Sequence, residues 1–266
     1  MPRTPAAPIQ RQTPGQQPFG SRADRGRQPE ILRAALRNIQ SGRSICVFDL
    51  DSTLLDNHQR QARIFREYGA ALGDARFVHC APEHVVSWDL RDTARLLGLS
   101  DEEAEARAPA LRAFWLERFF TSAYCAEDTP LPGARSYLEE VLGTGGRIIY
   151  ITGRHTGMGA GTLESFRRAG FPLPNGKDVT WPPRVELWLK PAPDDDDDAW
   201  KESCHQALAK QGDLAAAFDN EPIHINAYRA RFPQAAAVHL DTDHSRRPVA
   251  VRDDIPSVAD FRLELP

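Results

Sequence analysis

Five short apolar runs punctuate the chain, at residues 44–48, 147–151, 184–189, 214–218 and 235–240, and each is followed by polar residues. The first, Ser44-Ile45-Cys46-Val47-Phe48, is the kind of run found in a strand buried on both faces of a parallel sheet. Between the runs, apolar residues recur at helical spacing around residues 133–142, 160–169, 199–210 and 222–231. Ahead of them, Pro29 sits as proline often does in a first helical turn, and Ile31, Leu32, Ala35, Leu36 and Ile39 share one face, which predicts an amphipathic helix. Strands alternating with helices imply right-handed crossovers, so the expected fold class is α/β with a doubly wound parallel sheet.

The stretch 57–130 breaks the alternation: it carries several helical patterns and no convincing strand. Ala108, Leu111, Phe114, Trp115 and Phe119, for instance, form one apolar helical face. An insertion of this size directly after the first strand loop predicts an α-helical cap over the sheet edge. The expected organisation is therefore a tail over 1–28, a core from 29–56 and 131–266, and a cap over 57–130. No internal repeat is visible.

The tail is crowded with Pro, Gln, Gly and Arg and has almost no periodic apolar pattern, so disorder is expected. Arg3, Arg11, Arg22, Arg25 and Arg27 against the single acid Asp24 suit a nucleic acid or an anionic surface, but no aromatics interleave, which favours a solvated tail. A net charge of −4, with 26% charged residues, calls for neither a nucleic acid nor a membrane partner. No apolar run nears the roughly 18 residues of a membrane span, and the N-terminus lacks a secretory apolar stretch, so a cytoplasmic location is expected. Cys46, Cys80, Cys125 and Cys204 are scattered without metal-ligand spacing, as expected of reduced thiols.

The polar residues that follow the apolar runs lie at the carboxyl ends of the strands, where open α/β sheets bind ligands. Asp49 and Asp51 follow the first run, Thr152-Gly153-Arg154 the second, Lys190 the third, Asp219-Asn220-Glu221 the fourth and Asp241 the fifth. Two carboxylates two residues apart share one side of a loop and can divide nucleophile or ligand work from acid/base work. Many loops end a strand with such a pair, so the pair alone decides little.

Its setting decides more. The string Val47-Phe48-Asp49-Leu50-Asp51-Ser52-Thr53-Leu54-Leu55 closely resembles the first motif of the haloacid dehalogenase superfamily. Thr152, Lys190 and Asp219 then stand in order for that family's second, third and fourth motifs, and the resemblance covers roughly residues 44–56 and 131–245. It implies a Rossmann-like core and Mg²⁺-dependent phosphoryl transfer through an aspartyl phosphate on Asp49. It also implies Asp51 as the acid and then the base, with Mg²⁺ held by the Asp49 carboxylate, the Asp51 carbonyl and Asp219. A carboxylate approaching a phosphate dianion needs positive charge and fixed donors nearby, which Lys190, the Thr152 hydroxyl and the Gly153 amide can supply. The fourth motif departs from commoner forms: Asn220 stands where a second acid often follows, and Ile223 and His224 occupy the later alternatives, leaving Asn220 or Glu221 to complete the metal shell.

The sequence therefore predicts a phosphohydrolase acting on a small soluble phosphate ester. Its rivals are a nucleic-acid end phosphatase or phosphotransferase that uses the tail, and a catalytically silent binding protein. Several residues also have plainer readings. Arg154 fits either a substrate contact or an ion pair, and the acids 194–198 suit the N-terminal charge of a helix better than a Ca²⁺ loop. His155 is expected to face solvent, Trp88 and Trp115 to form the cap's own core, and Asp241, Asp243 and His244 to belong to a loop, because the resemblance puts the fifth strand at the sheet edge.

Overall fold

A computed structural model describes residues 22–40, 42–174, 184–245 and 247–264. The main sheet comprises β1 (Ser44–Phe48), β4 (Arg147–His155), β5 (Val185–Lys190), β6 (Asp213–Asp219), β7 (Ala236–Leu240) and β8 (Ser257–Val258), in the order β5-β4-β1-β6-β7-β8. Every pairing is parallel. Helices α1 (Gln28–Arg37), α7 (Ala134–Gly143) and α8 (Gly159–Ala169) cover one face, and α9 (Asp197–Gln211) and α10 (Pro222–Arg231) the other.

The two-residue period of a strand explains why β1 has no polar side. Cys46 and Phe48 pack with Leu32, Tyr137, Leu138 and Phe166, whereas Ile45 and Val47 pack with Cys204, Leu208, Ile225 and Tyr228. From β1 the chain steps outward to β4 and β5, then crosses back to β6 on the other side. This reversal opens a crevice beyond the carboxyl end of β1.

The inserted segment folds as α2 (His58–Leu72), α3 (Ala75–Val78), α4 (Leu90–Leu96), α5 (Asp101–Phe119) and α6 (Ser122–Cys125). It has its own core, in which Phe65, Tyr68, Phe77, Leu111, Trp115 and Phe119 are buried and Trp88 packs against them. Ser100 and Glu103 begin α5 with a reciprocal capping box. A two-stranded antiparallel ribbon, β2 (Leu55–Asp56) with β3 (Thr129–Pro130), forms the neck; strands of two residues leave no periodic signal.

Three expectations need correction. The fifth predicted strand, β7, is not an edge, because β8 pairs with it. The second predicted strand continues past residue 151 to His155. Residues 22–28, assigned to the tail, are ordered: the Arg22 and Ala23 amides donate to Asp241 Oδ2 at 2.8 and 2.9 Å, and the Asp24 amide donates to the Ser257 carbonyl at 3.2 Å. These contacts cross more than 200 residues of chain and have no local signature. The remainder of the predicted tail, residues 1–21, lies outside the described residues. All four cysteines are free and buried. Among the described residues no helix is long and apolar enough to cross a membrane.

Candidate active site

The loop after β1 sets the geometry. The Asp49 amide extends the ladder to the Phe218 carbonyl at 3.0 Å. The chain then wraps around the Leu50 carbonyl, which accepts from the Thr53, Leu54 and Leu55 amides at 3.1, 2.9 and 2.9 Å. This turn puts Ser52 at φ 59°, the one positive φ of a non-glycine among the described residues, a strain of about 1 kcal/mol or more that the loop contacts hold in place.

Asp49 and Asp219 stand on neighbouring strands and share one ammonium. Lys201, on the buried face of α9, donates to Asp49 Oδ1 at 2.8 Å and to Asp219 Oδ2 at 2.7 Å. Burial raises the Asp49 carboxyl to about 7, against the opposing pull of Lys201 and with the help of Asp219 and Asp51. Burial acts on Asp219 as well, but Lys201 and His224 outweigh it and hold this group well below the carboxylate range. Lys190, expected to be the positive charge here, is turned elsewhere: its ammonium meets the Pro193 and Asp195 carbonyls at 3.1 and 2.8 Å and Asp197 at 2.7 Å. Among the described residues the ammonium paired with Asp49 is thus that of Lys201, where Lys190 was expected. Sequence reasoning missed it, although the signal was there: Lys201 falls on the same α9 stripe as the buried Cys204 and Leu208, an odd place for a lysine.

Asp51 sits in a four-charge cluster. Its Oδ1 accepts from Arg60 Nη2 at 2.5 Å and from Arg154 Nη2 at 2.8 Å, and its Oδ2 from Arg154 Nε at 2.8 Å. Asp128 completes the cluster. It accepts from Arg154 at 2.5 Å and lies 3.0 Å from Arg60 Nε, an ion pair not aligned as a hydrogen bond. Burial would raise Asp51, but Arg154 and Arg60 overcome it and hold the group well below the usual range, whereas burial wins at Asp128, which rises to about 6. In this arrangement both guanidiniums hold Asp51 in its ionised form. Arg60 comes from the cap, and its guanidinium also stacks 3.7 Å over the Phe119 ring. Neither Arg60 nor Asp128 was singled out from the sequence, because a cap arginine meeting a core carboxylate is a tertiary event.

The other candidates are distributed around these two groups. The Thr152 hydroxyl accepts from the Arg154 amide at 3.1 Å and donates no hydrogen bond among the described residues. A side chain at Gly153 would meet the Asp197 carboxylate at 3.0 Å. Asn220 accepts from Thr53 at 3.1 Å and donates to the Asp243 carbonyl at 2.6 Å, and Glu221 accepts from Ser245. Both side chains are thus held by loop contacts, each oxygen accepting one hydrogen bond. His155 is not simply solvent-facing, since its Nε2 meets the Phe120 carbonyl at 3.1 Å and ties cap to core. The acidic run does start a helix, with Asp196 capping the Ala199 amide. Asp243 pairs with His58 at 2.8 Å.

No protein-family model matches the sequence, and no curated relative matches it. Among solved structures, Mycobacterium tuberculosis Protein Tyrosine Kinase A is similar over 82% of this chain and 94% of that one, at 18% identity and a TM-score of 0.50. A haloacid dehalogenase-like family hydrolase from Streptococcus pneumoniae is 16% identical over 74% of this chain and 84% of its own, with a TM-score of 0.41. CbbY from Rhodobacter sphaeroides, in complex with phosphate, is 18% identical over 82% and 94%, with a TM-score of 0.42. The fold, a parallel six-stranded sheet between helices, is one this chain shares with the first of these. An identity of 18% speaks to the fold alone and leaves the chemistry to this chain's own residues.

The donor set beside Asp49 suits a hard divalent ion. Asp49 has one oxygen without a hydrogen bond among the described residues, and Asp219 lies beside it across Lys201. No hydrogen bond to the Asp51 carbonyl is made among the described residues. No three His, Cys, Asp or Glu side chains there form a ready-made cage, so main-chain, water and substrate oxygens would complete the shell, as Mg²⁺ prefers.

Proposed function

We propose that this protein is a metal-dependent phosphohydrolase that cleaves a small phosphate monoester through an aspartyl phosphate on Asp49. The observation that carries this reading is the Asp49–Lys201–Asp219 bridge at the carboxyl edge of β1 and β6. A buried nucleophilic carboxylate beside a fixed ammonium can meet a phosphate dianion without facing its repulsion alone.

In the proposed cycle the unbonded oxygen of Asp49 attacks phosphorus, and the bond to the ester oxygen breaks. Water then attacks the acyl phosphate, releasing inorganic phosphate and restoring Asp49. The Thr152 hydroxyl and the Gly153 amide are the donors for the phosphoryl oxygens. Asp51, freed of a guanidinium contact and having taken up a proton from solvent, gives that proton to the leaving oxygen and takes one from the attacking water, so Arg60, a cap residue, couples cap position to proton transfer. Asp49, the Asp51 carbonyl and Asp219 would hold Mg²⁺, whose charge would neutralise phosphate oxygens as they develop negative charge.

The cap argues for a small substrate. Its contacts with the core fall at this same edge: Arg60 on Asp51, His58 on Asp243, and Ser122 on Gly157 and on Gly161 in the first turn of α8. A lid so tied leaves little room for a macromolecule and excludes water. The test is release of phosphate from a panel of small esters with and without Mg²⁺, with oligonucleotide ends and phosphoproteins as controls. Turnover of the small esters that disappears in a folded Asp49→Asn variant is expected. Normal hydrolysis by that variant sinks the mechanism, and efficient removal of oligonucleotide end phosphates favours the nucleic-acid rival.

A further inference from the structure

Two carboxamides lie at the base of α2, where the neck enters the cap. Asn57 is the residue just ahead of the helix and Gln61 follows one turn later; they are 2% and 1% exposed. Gln61 Nε2 donates to Asn57 Oδ1 at 2.9 Å. The remaining atoms, Asn57 Nδ2 and Gln61 Oε1, are buried and have no hydrogen-bond partner among the described residues. Exchanging nitrogen for oxygen in both amides keeps the bond between them and again leaves one donor and one acceptor over. Buried polar groups are nearly always paired, so a spare donor beside a spare acceptor points to a ligand group that serves both.

The residues between them show which way the pair looks. His58 Nε2 meets Asp243 Oδ2 at 2.8 Å, in the loop after β7, and Arg60 Nη2 meets Asp51 Oδ1 at 2.5 Å, in the loop after β1. At about 100° per residue, Asn57 and Gln61 fall between these two anchors round the helix. In the sheet, β6 runs between β1 and β7 and ends at Asp219. The helix face that carries the amides therefore turns toward the end of β6, beside Asp49. The anchoring charges are themselves matched, His58 lying between Asp56 and Asp243 and Arg60 between Asp51 and Asp128. What this face offers a ligand is neutral: one N–H and one oxygen.

We propose that Asn57 and Gln61 form the leaving-group subsite and select a polyol phosphate, one of whose hydroxyls accepts from one amide and donates to the other. The inference rests on the phosphohydrolase reading of Asp49 and names its substrate class. A hydroxyl is donor and acceptor in one atom, whereas a carboxylate only accepts, an ammonium only donates and an alkyl chain does neither. An ester lacking the hydroxyl leaves both buried amide atoms unmade, and a site built to bond a hydroxyl rejects such an analogue far more strongly than an apolar pocket rejects a methylene.

Matched esters that differ only in hydroxyls test this: glycerol 1-phosphate with n-propyl phosphate, and sorbitol 6-phosphate with n-hexyl phosphate. In at least one pair, wild-type kcat/KM should favour the polyol by about a hundredfold or more. In Gln61→Met, which keeps the length of the side chain without its polar atoms, that ratio should fall to within about threefold of one. A ratio taken on one preparation does not depend on how much of the variant is folded. Calorimetric binding of the same esters to Asp49→Asn, with and without Gln61→Met, should show the same preference and its loss. Equal turnover within both pairs, or a ratio that Gln61→Met leaves unchanged, overturns the proposal and leaves the phosphohydrolase reading standing. A hydroxyl preference in binding that Gln61→Met removes, without wild-type turnover of any ester, supports the subsite and sinks the phosphohydrolase reading alone. Neither binding nor turnover of any of the four esters ends both.

Discussion

Lys201 Nζ lies 2.8 Å from Asp49 Oδ1, although the two residues are 152 positions apart. The same ammonium reaches Asp219, whereas Lys190 is engaged by Asp197 and two carbonyls. Lys201→Met should therefore lower kcat by about 10²–10³, the scale of losing one preorganised charge or donor. Lys190→Met should cost less than about tenfold. Steady-state kinetics on the two variants checks the assignment, and the reverse ranking would restore Lys190.

Asp49 makes stability depend on pH in a definite direction. Its folded carboxyl is raised to about 7 from 3.8, so between these values the folded state binds more protons than the unfolded state. Stability from this group is present at pH 4 and lost as pH rises through about 7. In chelator-treated buffer, urea unfolding of the wild type should show lower stability at pH 8 than at pH 5. Asp49→Asn should flatten that difference; an unaltered pH profile would show that Asp49 is not the group responsible.

Arg60 neutralises two carboxylates at once, the buried Asp128 and the half-buried Asp51. Arg60→Ala leaves Asp51 and Asp128 with Arg154 alone and should destabilise the protein by about 3–5 kcal/mol, as removal of one partner from a buried pair does. Adding Asp128→Asn should recover part of the loss by removing the surplus negative charge. Equilibrium denaturation of both variants reads the outcome, and a loss under about 1 kcal/mol would mean that the cluster is not a structural lock.

Gly161 admits the cap onto the core. A Cβ there would lie 2.0 Å from the Ser122 carbonyl oxygen, in backbone that has no flexible end to yield. Gly161→Ala should push α6 off α8, costing about 1–3 kcal/mol and opening the cap to limited proteolysis. Unchanged protease resistance would show that the contact is not what seats the cap.

The segment just ahead of α1 is also open to test. A chain beginning at Gln28 loses the Arg22 and Ala23 amide bonds to Asp241 and should be less stable than one beginning at Arg22, by about 1–2 kcal/mol. Identical thermal unfolding of the two would return residues 22–27 to the tail.

What the sequence determined by itself was whatever repeats or travels with the backbone. Strands such as β1 and β6 announce themselves by apolar runs, the helices by their stripes, and the order of elements leads to the doubly wound sheet. Asp49, Thr152 and Asp219 were legible because a strand end is a fixed place, and parallel strands bring their carboxyl ends to one edge. The tertiary structure decided which side chains meet there. Lys190 and Lys201 are both lysines at or beyond a strand end, and only the packing of α9 against β4 and β6 turns one of them to Asp49. Likewise Asp51 was visible in the motif, but its engagement with Arg154 and the cap's Arg60 depends on how the inserted helices dock. Long side chains choose their partners by burial and charge at the docked surface, and these quantities exist only once the chain has folded.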